Sequence, residues 1–241
     1  MTQPIVAVIF DMDGLMFDTE RLILWAWQKA MADYGFPAPE ELYLKSVGLT
    51  DEATNAILVE ALGDGFPVEA VGDRLRQYFQ SYVDEHGAPI KPGLLELLDF
   101  LDGLGLPKAV GSSSRRRTVE RMLSSAGLLD RFGALAGGDE VTHGKPAPDI
   151  FLLAAQRLGV LAAGCLVLED SEPGAQAARA AGMACILVPD LKPPSPEGAA
   201  LAYRVLPSLL DVKELLQAQL VWHGLNKQAV NWLPDSFTRS S

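Results

Sequence analysis

Short, uniformly apolar runs recur along the chain and predict strands of a sheet buried on both faces. The first run, residues 5–10, is rich in β-branched side chains and does not alternate with polar positions, which is typical of a strand between two helical layers. Similar runs follow at residues 106–110, where Pro107 and Lys108 interrupt the apolar residues, and at residues 165–168 and 184–188. The pattern therefore predicts four strands of one buried sheet.

Segments with apolar residues at helical spacing lie between these runs. They predict helices over residues 93–104, 148–158, 173–181 and 207–220, where apolar positions recur every three or four residues. Strands that alternate with helices indicate an α/β protein with a parallel sheet covered by helices on both faces.

The alternation is interrupted after the first strand by a helical stretch. Candidate helices lie at residues 20–34, 50–62 and 67–86, separated by turn residues and without a convincing strand. Such an insert is a natural lid, since a helical cover excludes water and gates access. The predicted domains are a core of residues 1–17 and 90–220, a helical cap of residues 18–89 and a C-terminal tail of residues 221–241.

Composition and charge narrow the class of protein. The 241 residues include 31 acidic and 20 basic side chains, a net charge of -11, which argues against nucleic-acid or anionic-membrane partners. No apolar run approaches the ~20 residues of a membrane span, and the N-terminus does not resemble a signal peptide. Cys165 and Cys185 lie in apolar runs and are expected to be reduced. We expect a cytoplasmic protein, and a monomer because no apolar stripe is left over.

Two acidic residues follow directly after the first predicted strand. Asp11 and Asp13 end the apolar run, and Gly14 comes next. In open α/β sheets ligands bind beyond the carboxyl ends of the strands, and residues i and i+2 of an extended segment point the same way. The pattern predicts two carboxylates at one site, with Gly14 allowing a sharp turn. The alternative is a solvated turn.

Glu169 and Asp170 follow another short buried run. Like charges gathered at one edge of a sheet repel each other unless a cation neutralises them. Oxygen ligands favour a hard cation, and Mg²⁺ is the usual one when phosphate is the substrate. The alternative is that Asp170 or Ser171 caps a helix ahead of Pro173, although capping does not explain Glu169.

Hydroxyl groups and arginines follow a third predicted strand. Residues 111–117 run Gly-Ser-Ser-Ser-Arg-Arg-Arg at the expected start of a helix, where hydroxyls and free N–H groups bind phosphate. Ser112, Ser113 and Arg115 are the candidate phosphate ligands. A basic first turn opposes the helix dipole, and a bound anion would remove that conflict. The alternative is an ordinary serine N-cap with surface arginines.

One lysine, Lys145, stands between Gly144 and Pro146 just before a predicted helix. An ammonium held beside carboxylates can bind a nucleophile and a phosphate together. Alone, this pattern would indicate a surface lysine in a turn. Together with three other polar motifs, each near the end of a separate strand, it indicates one active site.

The four motifs resemble those of the haloacid dehalogenase superfamily. Residues 11–14 (Asp-Met-Asp-Gly) are similar to its first motif, Ser112 to its second, and Lys145 in Gly-Lys-Pro to its third. Glu169 and Asp170 are similar to the fourth. The resemblance extends to about residue 217.

Longer stretches are similar to one branch of this superfamily. Residues 11–20, 143–151 and 166–178 resemble the β-phosphoglucomutase-like branch, and within it phosphatases of the pseudouridine-5′-phosphatase type. The resemblance implies a Rossmann-like parallel core with an inserted helical-bundle cap.

The resemblance also implies a role for each matching residue. Asp11 is the expected nucleophile, which forms an aspartyl-phosphate, and Asp13 is the expected general acid and base. Lys145 is expected to take part in catalysis and to bind phosphoryl oxygens. The further expected phosphate ligands are Ser112, Ser113 and Arg115.

Mg²⁺ is the cofactor that the resemblance implies. Its expected ligands are Asp11, Asp170 and the backbone carbonyl of Asp13, with Glu169 contributing through water. The cation would shield the attacking carboxylate from the charge of the phosphate.

Two departures from the β-phosphoglucomutase pattern favour a phosphatase. Those mutases carry a His soon after the first motif, whereas residues 19–23 contain none, and Asp51 stands where their cap Arg would fall. We therefore expect hydrolysis of sugar, nucleoside or polyol monophosphates, with a sugar-phosphate mutase as the alternative. A non-catalytic phosphate-binding module would have lost motif residues, and a receiver domain phosphorylated on Asp11 would not need a lid.

Overall fold

The chain divides into two structural units, one of which interrupts the other. A computed structural model describes residues 4–46, 51–222 and 230–231. The first unit comprises Met1–Phe17 with Ile90–Ser241, and the second comprises Asp18–Pro89.

Parallel strands form the centre of the first unit. The strands of the described residues are β1 (Pro4–Ile5), β2 (Ala7–Phe10), β3 (Lys108–Ser112), β4 (Ala134–Gly137), β5 (Cys165–Glu169), β6 (Ala184–Leu187), β7 (Arg204–Val205) and β8 (Val230–Asn231). Six of them make one sheet in the order β4-β3-β2-β5-β6-β7, and every pairing in it is parallel. This confirms the predicted parallel sheet. β1 and β8 form a separate antiparallel pair.

Helices flank the sheet and build the second unit. The described helices are α1 (Thr19–Asp33), α2 (Glu40–Ser46), α3 (Asp51–Leu62), α4 (Val68–His86), α5 (Leu94–Gly103), α6 (Arg116–Ser125), α7 (Asp149–Leu158), α8 (Glu172–Ala180), α9 (Pro196–Ala199) and α10 (Leu209–Trp222). Short 3-10 turns occupy Leu129–Arg131, Gly138–Glu140 and Ala162–Gly164. The helices predicted from periodicity are all present, whereas the short helices α2 and α9 were not predicted.

The strands differ from the prediction at several points. The predicted strand 5–10 is divided, because the N–H of Val6 turns away to the carbonyl of Gly164. The predicted strand 106–110 begins later, at Lys108, because the N–H of Leu106 closes the turn after α5. β4 and β7 were not predicted, since neither is a β-branched apolar run of the kind that marks the other strands.

Alternate residues of each strand pack on opposite sides of the sheet. On one side Ile9 and Val167 belong to a buried cluster with Phe151 of α7 and Ala178 of α8. Phe10 points to the other side, where its ring meets the ring of Phe132 edge-on at 5.7 Å between centroids. This burial on both faces explains why the central strands consist mainly of apolar residues.

The second unit is a helical bundle with its own aromatic contacts. Trp25 of α1 lies against Tyr78 and Tyr82 of α4, with ring centroids 6.0 and 5.6 Å apart. The hydroxyl of Tyr43 in α2 donates to Glu20 Oε2 at 2.8 Å. These contacts join α1, α2 and α4.

Some sequence expectations fall outside the described residues. They comprise most of the predicted tail 221–241. Within the described part, no helix is both long and apolar enough to cross a lipid bilayer. Cys165 and Cys185 are buried and form no disulfide.

Candidate active site

Three neighbouring strands bring polar residues to one edge of the sheet. β2 lies between β3 and β5, with Phe10 opposite both Val110 and Leu168. β3 and β5 end at Ser112 and Glu169. Asp11 follows β2, and its N–H donates to the carbonyl of Leu168 at 2.9 Å. The parallel register therefore places the first, second and fourth sequence motifs side by side.

Lys145 reaches this edge from the loop before α7. Its Nζ donates to Asp11 Oδ1 and, at 2.7 Å, to Glu169 Oε1. The Lys145 side chain is only 7% exposed, and its Nζ lies 4.7 Å from the centre of the Phe151 ring. A buried lysine of this kind is held by paired charges, so the interpretation as a surface lysine is wrong.

The Glu169 carboxylate is fixed by the turn that follows it. Its Oε2 accepts hydrogen bonds from the N–H groups of Asp170 and Ser171 and from the Ser171 hydroxyl, each at 2.8 Å. The same hydroxyl accepts from the N–H of Gly174 and caps α8. Capping by Ser171 and an acidic site therefore occur together. Glu169 orients Lys145 with one oxygen and the turn with the other.

Three carboxylates approach one another closely enough to share a cation. Asp11, Glu169 and Asp170 each offer an oxygen, and these oxygens all lie within 4.8 Å of one another. Burial, together with the charges of Glu169 and Asp13, raises the pKa of Asp11 to about 8 against the pull of Lys145. Burial and the charges of Glu169 and Asp11 likewise raise the pKa of Asp170. One ammonium does not balance three carboxylates, so a hard divalent cation fits this cluster.

The Asp13 carboxylate faces two serine hydroxyls. Its Oδ2 accepts from Ser114 Oγ at 2.8 Å and from Ser112 Oγ at 3.3 Å. Ser112 is fully buried, and its Oγ also accepts from the N–H of Ser114 at 3.0 Å. The first and second motifs are thus linked through Asp13.

Two predicted phosphate ligands stand apart from this cluster. Ser113 and Arg115 are exposed, and no described hydrogen bond or ion pair joins their side chains to the site. The neighbouring Arg116 donates its N–H to Asp139 at 2.7 Å and its Nε to Glu120 at 2.9 Å. Carboxylates of the protein therefore supply negative charge to Arg116, one of the three arginines at this helix start.

Several residues that shape the site were missed by the sequence interpretation. Ser114 could have been found as the third hydroxyl of its run, two residues after Ser112. Phe151, Asp139 and Gly174 carry no local signal, because their importance depends on what packs against them. Gly174 is the clearest case, since a Cβ built on it would overlap the Glu169 carboxylate.

We expect the substitution Gly174→Ala to disrupt the site. The added methyl group would push the Glu169 carboxylate away, and with it one of the two partners of Lys145. Turnover should fall by roughly 100-fold, measured as kcat/KM with the best phosphomonoester. Gly103→Ala is the matched control, because a Cβ there meets nothing within 4 Å and alanine favours the helix by up to about 1 kcal/mol. Equal activity of the two variants would contradict the assignment of Glu169 as a partner that Lys145 needs for turnover.

Comparison with known proteins agrees with this geometry. A family model described as haloacid dehalogenase-like hydrolase matches residues 5–182. The chain is 33% identical over 219 residues to the "Phosphorylated carbohydrates phosphatase" of Thermotoga maritima, covering 89% of this chain and 92% of that one. It is 36% identical over 211 residues to the "Probable pseudouridine-5'-phosphatase" of Drosophila melanogaster, covering 85% and 90%.

A solved structure of a related hydrolase has the same fold as this chain. The chain matches a HAD family hydrolase from Deinococcus radiodurans, determined with bound phosphate and sodium, with a TM-score of 0.74 and 32% identity. The match covers 91% of this chain and 96% of that chain. Sequence, fold and site geometry agree, and the chain belongs to the haloacid dehalogenase-like hydrolase family.

Proposed function

We propose that this protein is a Mg²⁺-dependent phosphatase that hydrolyses small phosphorylated metabolites through an aspartyl-phosphate on Asp11. The observation that carries the proposal is the buried Lys145 ammonium held between Asp11 and Glu169 at the ends of adjacent strands. The names of the Thermotoga and Drosophila relatives support sugar and nucleoside monophosphates as the substrate class.

The first step transfers the phosphoryl group to the protein. A carboxylate oxygen of Asp11 attacks phosphorus as the bond from phosphorus to the leaving oxygen breaks. Asp13, in its protonated form, gives its proton to that leaving oxygen, so an alcohol departs. Lys145 and Ser112 bind the phosphoryl oxygens, and the Lys145 ammonium also holds Asp11 in place. Ser113 and Arg115 remain predicted phosphate contacts.

The second step releases phosphate by hydrolysis. The Asp13 carboxylate takes a proton from water as the water oxygen attacks phosphorus. The bond between phosphorus and Asp11 breaks, which restores the free Asp11 carboxylate and releases inorganic phosphate. Asp13 therefore ends the cycle protonated and ready for the next substrate.

Asp11, Asp170 and the backbone carbonyl of Asp13 are the proposed Mg²⁺ ligands, with Glu169 contributing through water. The bound cation supplies charge neutralisation between the nucleophile and the phosphate. The closeness of the three carboxylates supports this assignment. Because Glu169 already holds Lys145 and the turn, its part in metal binding is indirect.

The remaining assignments complete the proposal. The helical insert of residues 18–89 is the proposed cap domain, and the motif pattern favours hydrolysis over the alternative, a sugar-phosphate mutase. A cytoplasmic location, a monomeric state and the absence of nucleic-acid and membrane partners stay predictions.

Phosphate release from a panel of sugar, nucleoside and polyol monophosphates tests the function directly. With Mg²⁺ we expect release from a small subset of the panel. EDTA should lower the rate by at least about 100-fold, since a catalytic metal contributes several kcal/mol, and added Mg²⁺ should restore it. Mg²⁺ should also raise the midpoint of thermal unfolding, because it binds the folded state.

Two outcomes would contradict the proposal in different ways. Release that is insensitive to EDTA would remove the metal from the mechanism. No release from any compound, with interconversion of hexose phosphates when a bisphosphate activator is added, would replace the phosphatase by the mutase.

A further inference from the structure

The hydroxyl of Ser114 makes the shorter of the two serine hydrogen bonds to Asp13. Ser114 Oγ lies 2.8 Å from Asp13 Oδ2, whereas Ser112 Oγ lies 3.3 Å from the same oxygen. We propose that Ser114 is a positioning residue that holds the Asp13 carboxyl group in the orientation needed for proton transfer to the leaving oxygen. This inference rests on the proposed function, in which Asp13 is the general acid and base.

Ser114 is itself fixed at its main chain on both sides. Its N–H donates to Ser112 Oγ at 3.0 Å, and its carbonyl accepts from the N–H of Gly138 at 2.8 Å. The next turn is fixed as well, since Asp139 accepts the N–H of Arg116 at 2.7 Å. The Ser114 hydroxyl therefore projects from a backbone held by hydrogen bonds before, at and after this residue.

The segment that holds Ser114 is itself held by close packing and by an ion pair to α7. Gly137 and Gly138 let it pack directly on the serine loop, since a Cβ on Gly137 would overlap the backbone of Arg116. Glu140, in the same segment, accepts from both guanidinium nitrogens of Arg157 in α7 at 2.8 Å. This arrangement keeps the serine loop in register with the end of β4.

The Ser114 hydrogen bond gives the two oxygens of Asp13 different roles. Ser114 donates to Oδ2 at 2.8 Å, so we assign Oδ2 as the acceptor and Oδ1 as the oxygen that carries the proton of the acid form. As the bond from phosphorus to the leaving oxygen breaks, the electron pair stays on that oxygen and the Oδ1 proton joins it. Without the Ser114 hydroxyl the carboxyl group loses the shorter of its two serine hydrogen bonds and is held less firmly, so proton transfer slows.

A dependence on the leaving group separates this role from direct binding of phosphate. An alkoxide leaving group needs a proton in the transition state, whereas 4-nitrophenolate does not. For Ser114→Ala we expect kcat/KM to fall roughly 10- to 100-fold with the alkyl monophosphate that the unaltered protein hydrolyses fastest. With 4-nitrophenyl phosphate, and with acetyl phosphate as a second probe, we expect a change below about 3-fold, since proton transfer does not limit that step.

Two further variants make the test specific. Ser114→Thr keeps the hydroxyl and should restore most of the activity toward the alkyl phosphate. Ser124→Ala, an exposed serine in the last turn of α6, makes the same chemical change away from the site and should leave both rates unchanged. Thermal unfolding of all three variants checks that they are folded.

The outcomes distinguish this inference from the function on which it rests. Equal losses of Ser114→Ala on alkyl and aryl phosphates, or no loss on either, would overturn the positioning role while the phosphatase assignment stands. Failure of the threonine variant to recover activity would also overturn it. Absence of phosphate release by the unaltered protein would overturn the proposed function and this inference together.

Discussion

Replacement of Asp11 by asparagine is expected to abolish turnover while the protein stays folded. The amide keeps the size of the side chain but cannot form an acyl phosphate, so the first covalent step is lost. We expect kcat to fall by at least about 10⁴-fold, as removal of a nucleophile does in other covalent enzymes. Lys145 keeps its bond to Glu169, which favours an intact fold. Phosphate release under saturating substrate and Mg²⁺ measures the loss.

The matched control is Asp130→Asn, the same chemical change at an exposed aspartate of a surface turn. Its activity should equal that of the unaltered protein. Turnover by the Asp11→Asn variant above about 1% of normal would contradict the nucleophile assignment, since such a rate lies far above the residual activity that we expect.

Replacement of Lys145 by methionine is expected to damage both catalysis and stability. Methionine has a similar shape but no charge, so Asp11 and Glu169 lose the ammonium that lies between them. Removing one donor from a transition-state site costs about 10²- to 10³-fold. Because this ammonium also holds the nucleophile, we expect a loss of about 10³-fold or more in kcat/KM.

The stability effect of this substitution follows from the same contacts. Breaking a buried ion pair costs about 3–5 kcal/mol, and for a protein of this size each kcal/mol lowers the unfolding midpoint by about 2–4 °C. Without Mg²⁺ the midpoint should therefore fall by about 6 °C or more. Mg²⁺ should recover part of this loss in the variant, because it supplies positive charge to the same carboxylates.

Lys29→Met, at an exposed position of α1, provides the comparison for both effects. It should change neither the rate nor the midpoint appreciably. A Lys145→Met variant with normal kcat/KM would remove Lys145 from the mechanism, and an unchanged midpoint without Mg²⁺ would show that the ion pairs contribute no net stability.

The local pattern of apolar residues predicted four of the strands and most of the helices. The strands that became β2, β3, β5 and β6 are apolar on both faces, and the helices follow apolar periodicity, so both were visible without a structure. β4 was not predicted, because Ala134–Gly137 consists mostly of small residues, Ala-Leu-Ala-Gly. Its strand conformation depends on pairing with its neighbour β3. The short helix α2 and the strand β8 were missed as well.

The candidate site was predicted in its residue types but not in its contacts. Acidic residues that come directly after buried apolar runs indicated that Asp11 and Glu169 would meet at one edge of the sheet, and the register of β2 and β5 brings them together there. The alternatives of a surface lysine and of capping alone could be decided only by the position of Lys145 and by the bonds of Ser171. Ser114 was passed over, because its hydrogen bond to Asp13 joins residues 101 positions apart.

The sequence by itself thus determined the alternation of four strands with helices, the helical insert, the four motifs and the expectation that these motifs share one edge of the sheet. Tertiary structure decided which atoms meet there: Lys145 with Asp11 and Glu169, Ser114 with Asp13, and Gly174 with the Glu169 carboxylate. The physical reason is the separation along the chain of the residues that each feature depends on. Burial patterns and helix signals are read from neighbouring residues, whereas these contacts depend on strand register and loop packing between segments far apart in the chain.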